Sequence, residues 1–464
     1  KHMSGNAVMK VSGKPGDRVI LQYAEKWNEQ GVPLMQPFDP LQTGCYQQDT
    51  FILAGSGDEV FRPKFSYKGF RYLLVWGFPG VPKPEDFTAE VIHTDMRAVG
   101  SFQSSSPLLN AISDASFASI RSNMHSIPTD CPTFEKLGWT CDDAAPLEAM
   151  MYGYDVEALY LKRMRDYADD IRPDGSISDV LPSTWIRVGS DPAWNGSLIA
   201  IASKMQSFYG AEHVLEEHYE VMKRYHLWLS RAANMPGKPP HIVNPDQRRG
   251  YGDWVPPDHR GGHGPDGHSI YQTCYHYWYT TLMRDIASRL GKTADRDEFA
   301  REAAAIRGAI NARFFDAAAG AYFSENRQGG FRQSSQVLPL YFGIVPDGME
   351  AKVVENLVAD IRKRDGHFWV GILGFEYIAD VLMKHGFTAT AYEGHLKEDF
   401  PGLGNMIREG ATTLWESYSL ATTRSRSAGC KPASVTTSTR RPSNCCASSN
   451  KPPNARPLVP GDRV

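Results

Sequence analysis

The chain has 464 residues, 50 basic against 53 acidic side chains for a net charge of −3, and 41% hydrophobic with 11% aromatic content. A disordered polymer would be poorer in rings and higher in net charge, and a near-neutral chain offers no bulk electrostatic case for nucleic acid or an anionic membrane. No stretch reaches the roughly 18–20 uninterrupted apolar residues of a membrane span, so a soluble protein of unknown compartment is expected. The opening Lys1-His2-Met3-Ser4-Gly5 has no apolar h-region and is not a signal peptide; residues 1–13 read as a tag remnant and leader. Seven cysteines, an odd number without a CxxC pair, read as thiols: Cys45, Cys131, Cys141 and Cys274 lie apart, and Cys430, Cys445 and Cys446 crowd the end.

From residue 14 to about 103 the pattern is that of an antiparallel β module. Arg18–Tyr23, Tyr72–Trp76 and Ala89–His93 read as strands, separated by Gly/Pro turns such as Gly13-Lys14-Pro15-Gly16 and Gly55-Ser56-Gly57. A helix begins at Pro107 after the N-cap serines Ser104–Ser106. Amphipathic segments then recur over 146–171, 196–209, 211–233, 269–290 and 294–314. Shorter ones follow over 334–342, 349–364 and 372–385. So many helices without a fixed repeat predict a large all-α domain over 104–420, closed into an (α/α)-toroid. The last segment, 421–464, breaks the pattern: after Tyr418 there is no aromatic residue and one acid, Asp462, against eight Lys/Arg. It reads as an anomalous low-complexity tail unable to order itself.

The chemistry concentrates in two segments. Asp130, Glu135, Asp142 and Asp143 fall within fourteen residues of a Pro/Gly-rich loop that also holds Trp139. Carboxylates beside an aromatic wall suit acid catalysis on a sugar, because burial against apolar surface keeps one of them protonated. A solvated acidic loop with Asp142 capping the helix from Pro146 is the bland alternative. Far downstream, Arg408–Tyr418 sets Glu416 directly after Trp415, in a stretch suited to a loop entering a helix. Glycoside hydrolysis generally uses one carboxylate on each side of the bond. Asp191-Pro192-Ala193-Trp194 and Tyr251-Gly252-Asp253-Trp254 resemble cleft lining, though Asp191 as an N-cap and Trp254 as a plug fit equally. His259, His263 and His268 share a Gly-rich loop whose spacing matches no zinc motif, and no phosphate, dinucleotide or serine-hydrolase signature occurs.

Asp130-Cys131-Pro132 with Glu135-Lys136-Leu137-Gly138-Trp139 and Asp142, followed far downstream by Gly410-Ala411-Thr412-Thr413-Leu414-Trp415-Glu416, resembles the α-L-rhamnosidases of glycoside hydrolase family 78. Phe65–Tyr72 is similar to the module that precedes their catalytic domain. The resemblance covers about residues 14–420. It implies an (α/α)6-barrel catalytic domain behind a β-sandwich-like module, and hydrolysis of terminal α-L-rhamnosyl bonds with inversion. It also implies Glu135 as general acid, Glu416 as general base, Asp130 and Asp142 on rhamnose hydroxyls and Trp139 facing the sugar methyl. Trp194, Asp253 and Trp254 correspond to further cleft residues. Three departures stand out: Phe134 where many members have Arg, Cys141 where Gly is common, and no recognisable His loop or C-terminal β module after Glu416. A toroid-type polysaccharide lyase using the histidine loop and a carbohydrate-binding remnant without catalysis remain alternatives. The expected partner is a rhamnoside or rhamnose-containing oligosaccharide. No cofactor or metal is expected, a calcium ion having no support in the sequence.

Overall fold

The computed structural model describes residues 1–27, 33–34, 47–133, 135–183, 189, 191–244, 246, 250–258, 264–327 and 329–418. The expected tail, 421–464, lies outside them. The described residues form two compact units, one of 5–90 with 133–135, the other of 1–4, 91–132 and 136–418.

The first unit is built of antiparallel strands. In chain order they are β1 (Met3–Ser12), β2 (Arg18–Ala24), β3 (Lys26–Trp27), β4 (Pro33–Leu34), β5 (Gln48–Ile52), β6 (Asp58–Phe61), β7 (Lys68–Phe70), β8 (Tyr72–Trp76) and β9 (Phe87–Val91). One sheet has the order β6-β1-β7, with β9 also on β1; another has β2 between β5 and β8; β3 and β4 pair separately. Along β2, Val19, Leu21 and Tyr23 are buried while Arg18, Ile20 and Gln22 are not, the period-two signature of a half-buried strand. Two expectations change. The third strand starts earlier, at Phe87. Within the stretch read as tag remnant and leader, β1 occupies Met3–Ser12, and Ser4 through Met9 are buried. Its small and polar residues carry no β-branched pattern, so the strand is invisible to periodicity. A side-chain hydrogen bond ties it to its neighbour: Asn6 Nδ2 donates to Ser66 O at 2.8 Å.

The second unit is helical. It comprises α1 (Pro107–Ser122), α2 (Cys141–Ala144), α3 (Leu147–Gly153), α4 (Glu157–Asp170), α5 (Pro192–Asn195), α6 (Ser197–Tyr209) and α7 (Glu212–Ala233). After these come α8 (Ser269–Arg289), α9 (Thr293–Phe314), α10 (Ser334–Phe342), α11 (Glu350–Lys363), α12 (Ile372–Lys384), α13 (Thr388–His395) and α14 (Leu403–Arg408). A short hairpin of β10 (Phe315–Asp316) and β11 (Ala321–Tyr322) precedes α10. The helices α6, α8, α10 and α12 pack each on the next, and α7, α9, α11 and α13 each return along the outside of the helix before them. That alternation of inner and outer helices is an α/α toroid. Burial follows it: Ser197 through Ala202 of inner α6 are buried without interruption, whereas outer α7 buries one stripe that includes Val214, Tyr219, Met222, His226 and Leu229.

Most expected helices are found within a residue or two, but 146–171 is two helices. The break at Tyr154 is tertiary in origin, since Val99 N donates to Gly153 O at 2.9 Å and Asp155 N to Arg97 O at 2.8 Å. The helices α2, α5, α13 and α14 are too short for a 3.6-residue period to register.

Two buried carboxylates stitch together loops at the N-terminal ends of the inner helices. Asp191 accepts from Ala193 N at 3.1 Å, Tyr251 N at 2.9 Å, Gly252 N at 3.2 Å and Gln272 Nε2 of α8 at 3.0 Å. Asp253 accepts from the Ser334 hydroxyl at the start of α10, and from Gly371 N at 2.6 Å and Gly374 N at 3.2 Å around the start of α12. Unpaired N–H groups and the positive end of the helix dipole make these positions hospitable to negative charge.

A third buried carboxylate, Asp143, holds Arg163 of α4 through its Nε at 3.0 and 2.9 Å, and accepts from Tyr167 Oη at 2.7 Å. The same guanidinium donates to Leu181 O and Gly138 O, each at 3.0 Å. Gly138 is obligatory there, because a Cβ would meet Leu181 O at 2.0 Å.

Arg163→Met leaves Asp143 buried without its cation and is expected to cost about 3–5 kcal/mol in urea unfolding. Burial pushes the Asp191 and Asp253 carboxyls up, each to about 6, against the pull of their hydrogen bonds. An unfolded Asp titrates near roughly 3.9, so the folded chain keeps protons that the unfolded chain releases. The stability from these groups is therefore present below about pH 4 and lost as pH rises through about 6. Unfolding free energies measured across that window should show this fall, and Asp253→Asn should flatten it.

Candidate active site

The acidic loop leaves α1 and is clamped at both ends. Asp130 N donates to Leu137 O at 3.1 Å while Leu137 N donates back to Asp130 Oδ1 at 2.8 Å. Beyond it, Arg163 holds Gly138 O, Trp139 bridges to Val180, and Thr140 N and Oγ1 both donate to Asp179 O at 2.9 Å. Glu135 sits half-buried in a turn between these clamps, and Thr133 and Glu135 belong to the strand unit. Phe134 lies outside the described residues. Asp142 is not the cap of a helix from Pro146, because it lies inside α2, followed directly by buried Asp143. Burial, then the charges of Asp130, Asp143 and Glu416, raise the Asp142 carboxyl well above the ordinary carboxylate range.

Glu416 reaches the same neighbourhood from the other end of the toroid. Its segment continues as bends rather than entering a helix up to Tyr418. Leu414 and Trp415 anchor it by packing against a small core of Ile112, Leu403 and Met406, and Leu414 N donates to Ser119 Oγ at 2.8 Å. Trp415 is thus a packing residue. The Trp254 indole Nε1 donates to Glu416 Oε1 at 3.3 Å.

Three tryptophans singled out in the sequence meet around one tyrosine. Trp194, Trp139 and Trp254 have ring centroids 4.5, 5.6 and 6.0 Å from that of Tyr251. Tyr251 Oη donates to Asp179 Oδ2 at 3.0 Å, and Asn195 Nδ2 donates to Asp179 Oδ1 at 2.8 Å. With 4% exposure for Trp194 and 2% for Asp253, both serve as internal supports of this rim. Asp191 is the N-cap expected of it and more, given its bonds to the Tyr251 loop.

The structure therefore brings together Asp130, Asp142 and Glu416 electrostatically, with Trp139, Trp194 and Trp254 on one aromatic cluster. Sequence reasoning missed Arg163, Asp179, Asn195, the bracing role of Asp143 and the central role of Tyr251. Only Asp179 left a local signal, as a polar residue between the apolar Ile177 and Val180. Of the histidine loop, His259 and His263 lie outside the described residues, and His268 is buried just before α8. Cys131, Cys141 and Cys274 are free thiols; the other four cysteines lie outside the described residues. Among the described residues, no helix is long and apolar enough to cross a membrane. A carboxyl whose titration burial raises, close to a glutamate oriented by an indole N–H, is equipment for general acid–base chemistry on a hydroxylated ligand.

Comparison with known proteins agrees with this chemistry. The bacterial α-L-rhamnosidase six-hairpin glycosidase domain matches residues 97–436, and the bacterial α-L-rhamnosidase concanavalin-like domain matches residues 1–93. An α-L-rhamnosidase of Streptomyces avermitilis is 29% identical over 421 residues, covering 90% of this chain and 38% of its own length. One from Formosa agariphila is 30% identical over 387 residues, covering 80% of this chain and 39% of its own. The chain thus spans well under half the length of these curated relatives. Among solved structures, α-L-rhamnosidase from Dictyoglumus thermophilum superimposes with a TM-score of 0.84 at 34% identity, over 91% of this chain and 46% of that one. The Streptomyces avermitilis enzyme complexed with L-rhamnose gives 0.79 at 28% identity, over 90% of this chain and 38% of its own. With two domain matches in tandem and the toroid they describe, the chain belongs to the bacterial α-L-rhamnosidase family of glycoside hydrolases.

Proposed function

We propose that this chain hydrolyses terminal α-L-rhamnosyl bonds of rhamnosides or rhamnose-containing oligosaccharides, with inversion at the anomeric carbon. The observation that carries the reading is the convergence of Asp130, Asp142 and Glu416, drawn from opposite ends of the helical unit, in motifs that match the family's. Glu135, within the clamped loop, donates its proton to the glycosidic oxygen as the bond to the anomeric carbon breaks. Glu416 takes a proton from a water attacking that carbon from the opposite face. The new carbon–oxygen bond forms as the old one is lost, and the configuration inverts.

The Trp254 indole N–H donates to Glu416 Oε1 and so orients the carboxylate that would serve as base. Asp130 and Asp142 take the sugar hydroxyls, and burial, which raises the Asp142 carboxyl, favours the form that can donate to a hydroxyl oxygen. Trp139, edge-on to Tyr251, contributes apolar surface for the sugar's methyl group. A lyase would need the histidine loop as its base, and no observation favours it over the carboxylates.

Release of L-rhamnose from an aryl α-L-rhamnoside tests the proposal, and the anomeric form first released, followed by NMR, tests inversion. Glu135→Gln and Glu416→Gln are each expected to lower kcat by about 10²–10⁴-fold in a folded protein. Wild-type turnover in either variant removes that carboxylate from the mechanism. Trp254→Phe keeps the ring and loses the donor, so kcat should fall on the order of tenfold with KM nearly unchanged.

A further inference from the structure

Outside the candidate active site, the outer helix α7, the inner helix α8 and the outer helix α9 bring His226, His276 and Glu302 together. One potential ligand atom from each lies within 4.8 Å of the others. His226 Nε2 is 3.7 Å from Glu302 Oε2, and His276 Nε2 is 3.7 Å from Glu302 Oε1. We propose that these three side chains form a divalent transition-metal site, of the kind that takes Zn2+, joining α7, α8 and α9.

Two imidazole nitrogens and a carboxylate are a familiar donor set for Zn2+, with a fourth position left to water or a hydroxyl. Ser230, one turn beyond His226 on α7, is placed for that surrounding: its hydroxyl donates to Glu302 Oε1 at 2.5 Å and lies 3.5 Å from His276 Nε2. Both histidines are buried in the helical packing, which fixes their rings against Glu302. Among the described residues, no Lys or Arg pairs with Glu302. A largely enclosed carboxylate whose neighbours are two imidazoles and a hydroxyl is a position where a divalent ion supplies counter-charge.

The present hydrogen bonds are compatible with exchange for an ion. His226 Nε2 donates to Thr280 Oγ1 at 2.9 Å, the threonine's own hydrogen going to His276 O at 2.8 Å. The Nδ1 atoms of both rings are buried without a hydrogen-bond partner, so neither ring's tautomer is fixed from its far side. The Glu302 side chain, 19% exposed, leaves an entry path from solvent.

Zn2+ titrated calorimetrically into the metal-stripped full chain, alongside Glu302→Gln and His276→Gln, tests the site. The wild type should bind one ion that both variants bind on the order of tenfold more weakly or worse. Its melting temperature should rise with Zn2+ concentration. Co2+ added to the wild type should give the visible absorption of a four-coordinate site, a reading that needs no variant should His276→Gln fail to fold. Equal stoichiometry and affinity in wild type and folded Glu302→Gln, or no Co2+ band, overturns the proposal.

Discussion

Buried carboxylates opposite helix N-termini are the constraint on which this helical unit depends. Asp191 and Asp253 each gather donors from elements far apart in sequence, and each closes a gap between inner helices that apolar packing alone would leave undefined in register. The cost of burying a carboxylate is offset by three or four directed donors and by the helix dipoles. Because those donors include main-chain N–H groups of the loops themselves, the loops are fixed in place without bulky side chains. Their outward-facing residues are then free to serve a ligand.

The loop that carries Glu135 relies on a different device. Arg163 presents a planar fork that reads two carbonyls, Gly138 O and Leu181 O, while its charge is balanced by Asp143. A guanidinium suits this task better than an ammonium, because its donors diverge at fixed angles. The aromatic cluster around Tyr251 adds a second layer, transmitting the position of Asp179 to Trp139, Trp194 and Trp254 through edge-on and tilted ring contacts.

Helices and strands with a clear period were legible in the sequence, and so were the residues lying in conspicuous loops. Arg18–Ala24, Tyr72–Trp76 and the inner helices announce themselves through apolar spacing. What stayed hidden is what depends on contact across long sequence separations. β1 hides because its buried run Ser4–Met9 mixes small and polar residues with Val8 and Met9 and shows no alternation. The break at Tyr154 hides because main-chain partners at Arg97 and Val99 cause it. Asp143 and Arg163 look like surface charges on paper, and only the packing of α4 under the acidic loop makes them a core. Trp194 and Asp253 could be placed near the site from their motifs, yet whether a residue lines a cleft or braces it is decided by burial. The cluster of His226, His276 and Glu302 was likewise unreadable, its members lying on three helices with no motif spacing between them.

Glu416 is held by partners from three remote regions: Leu414 by Ser119 of α1, Thr412 by His2, and the carboxylate itself by Trp254. On the ribosome, every one of those partners is made before the residue they position. The proposed base therefore follows all the elements that hold it, and a chain interrupted before that segment would carry the described helices without the group proposed to activate water.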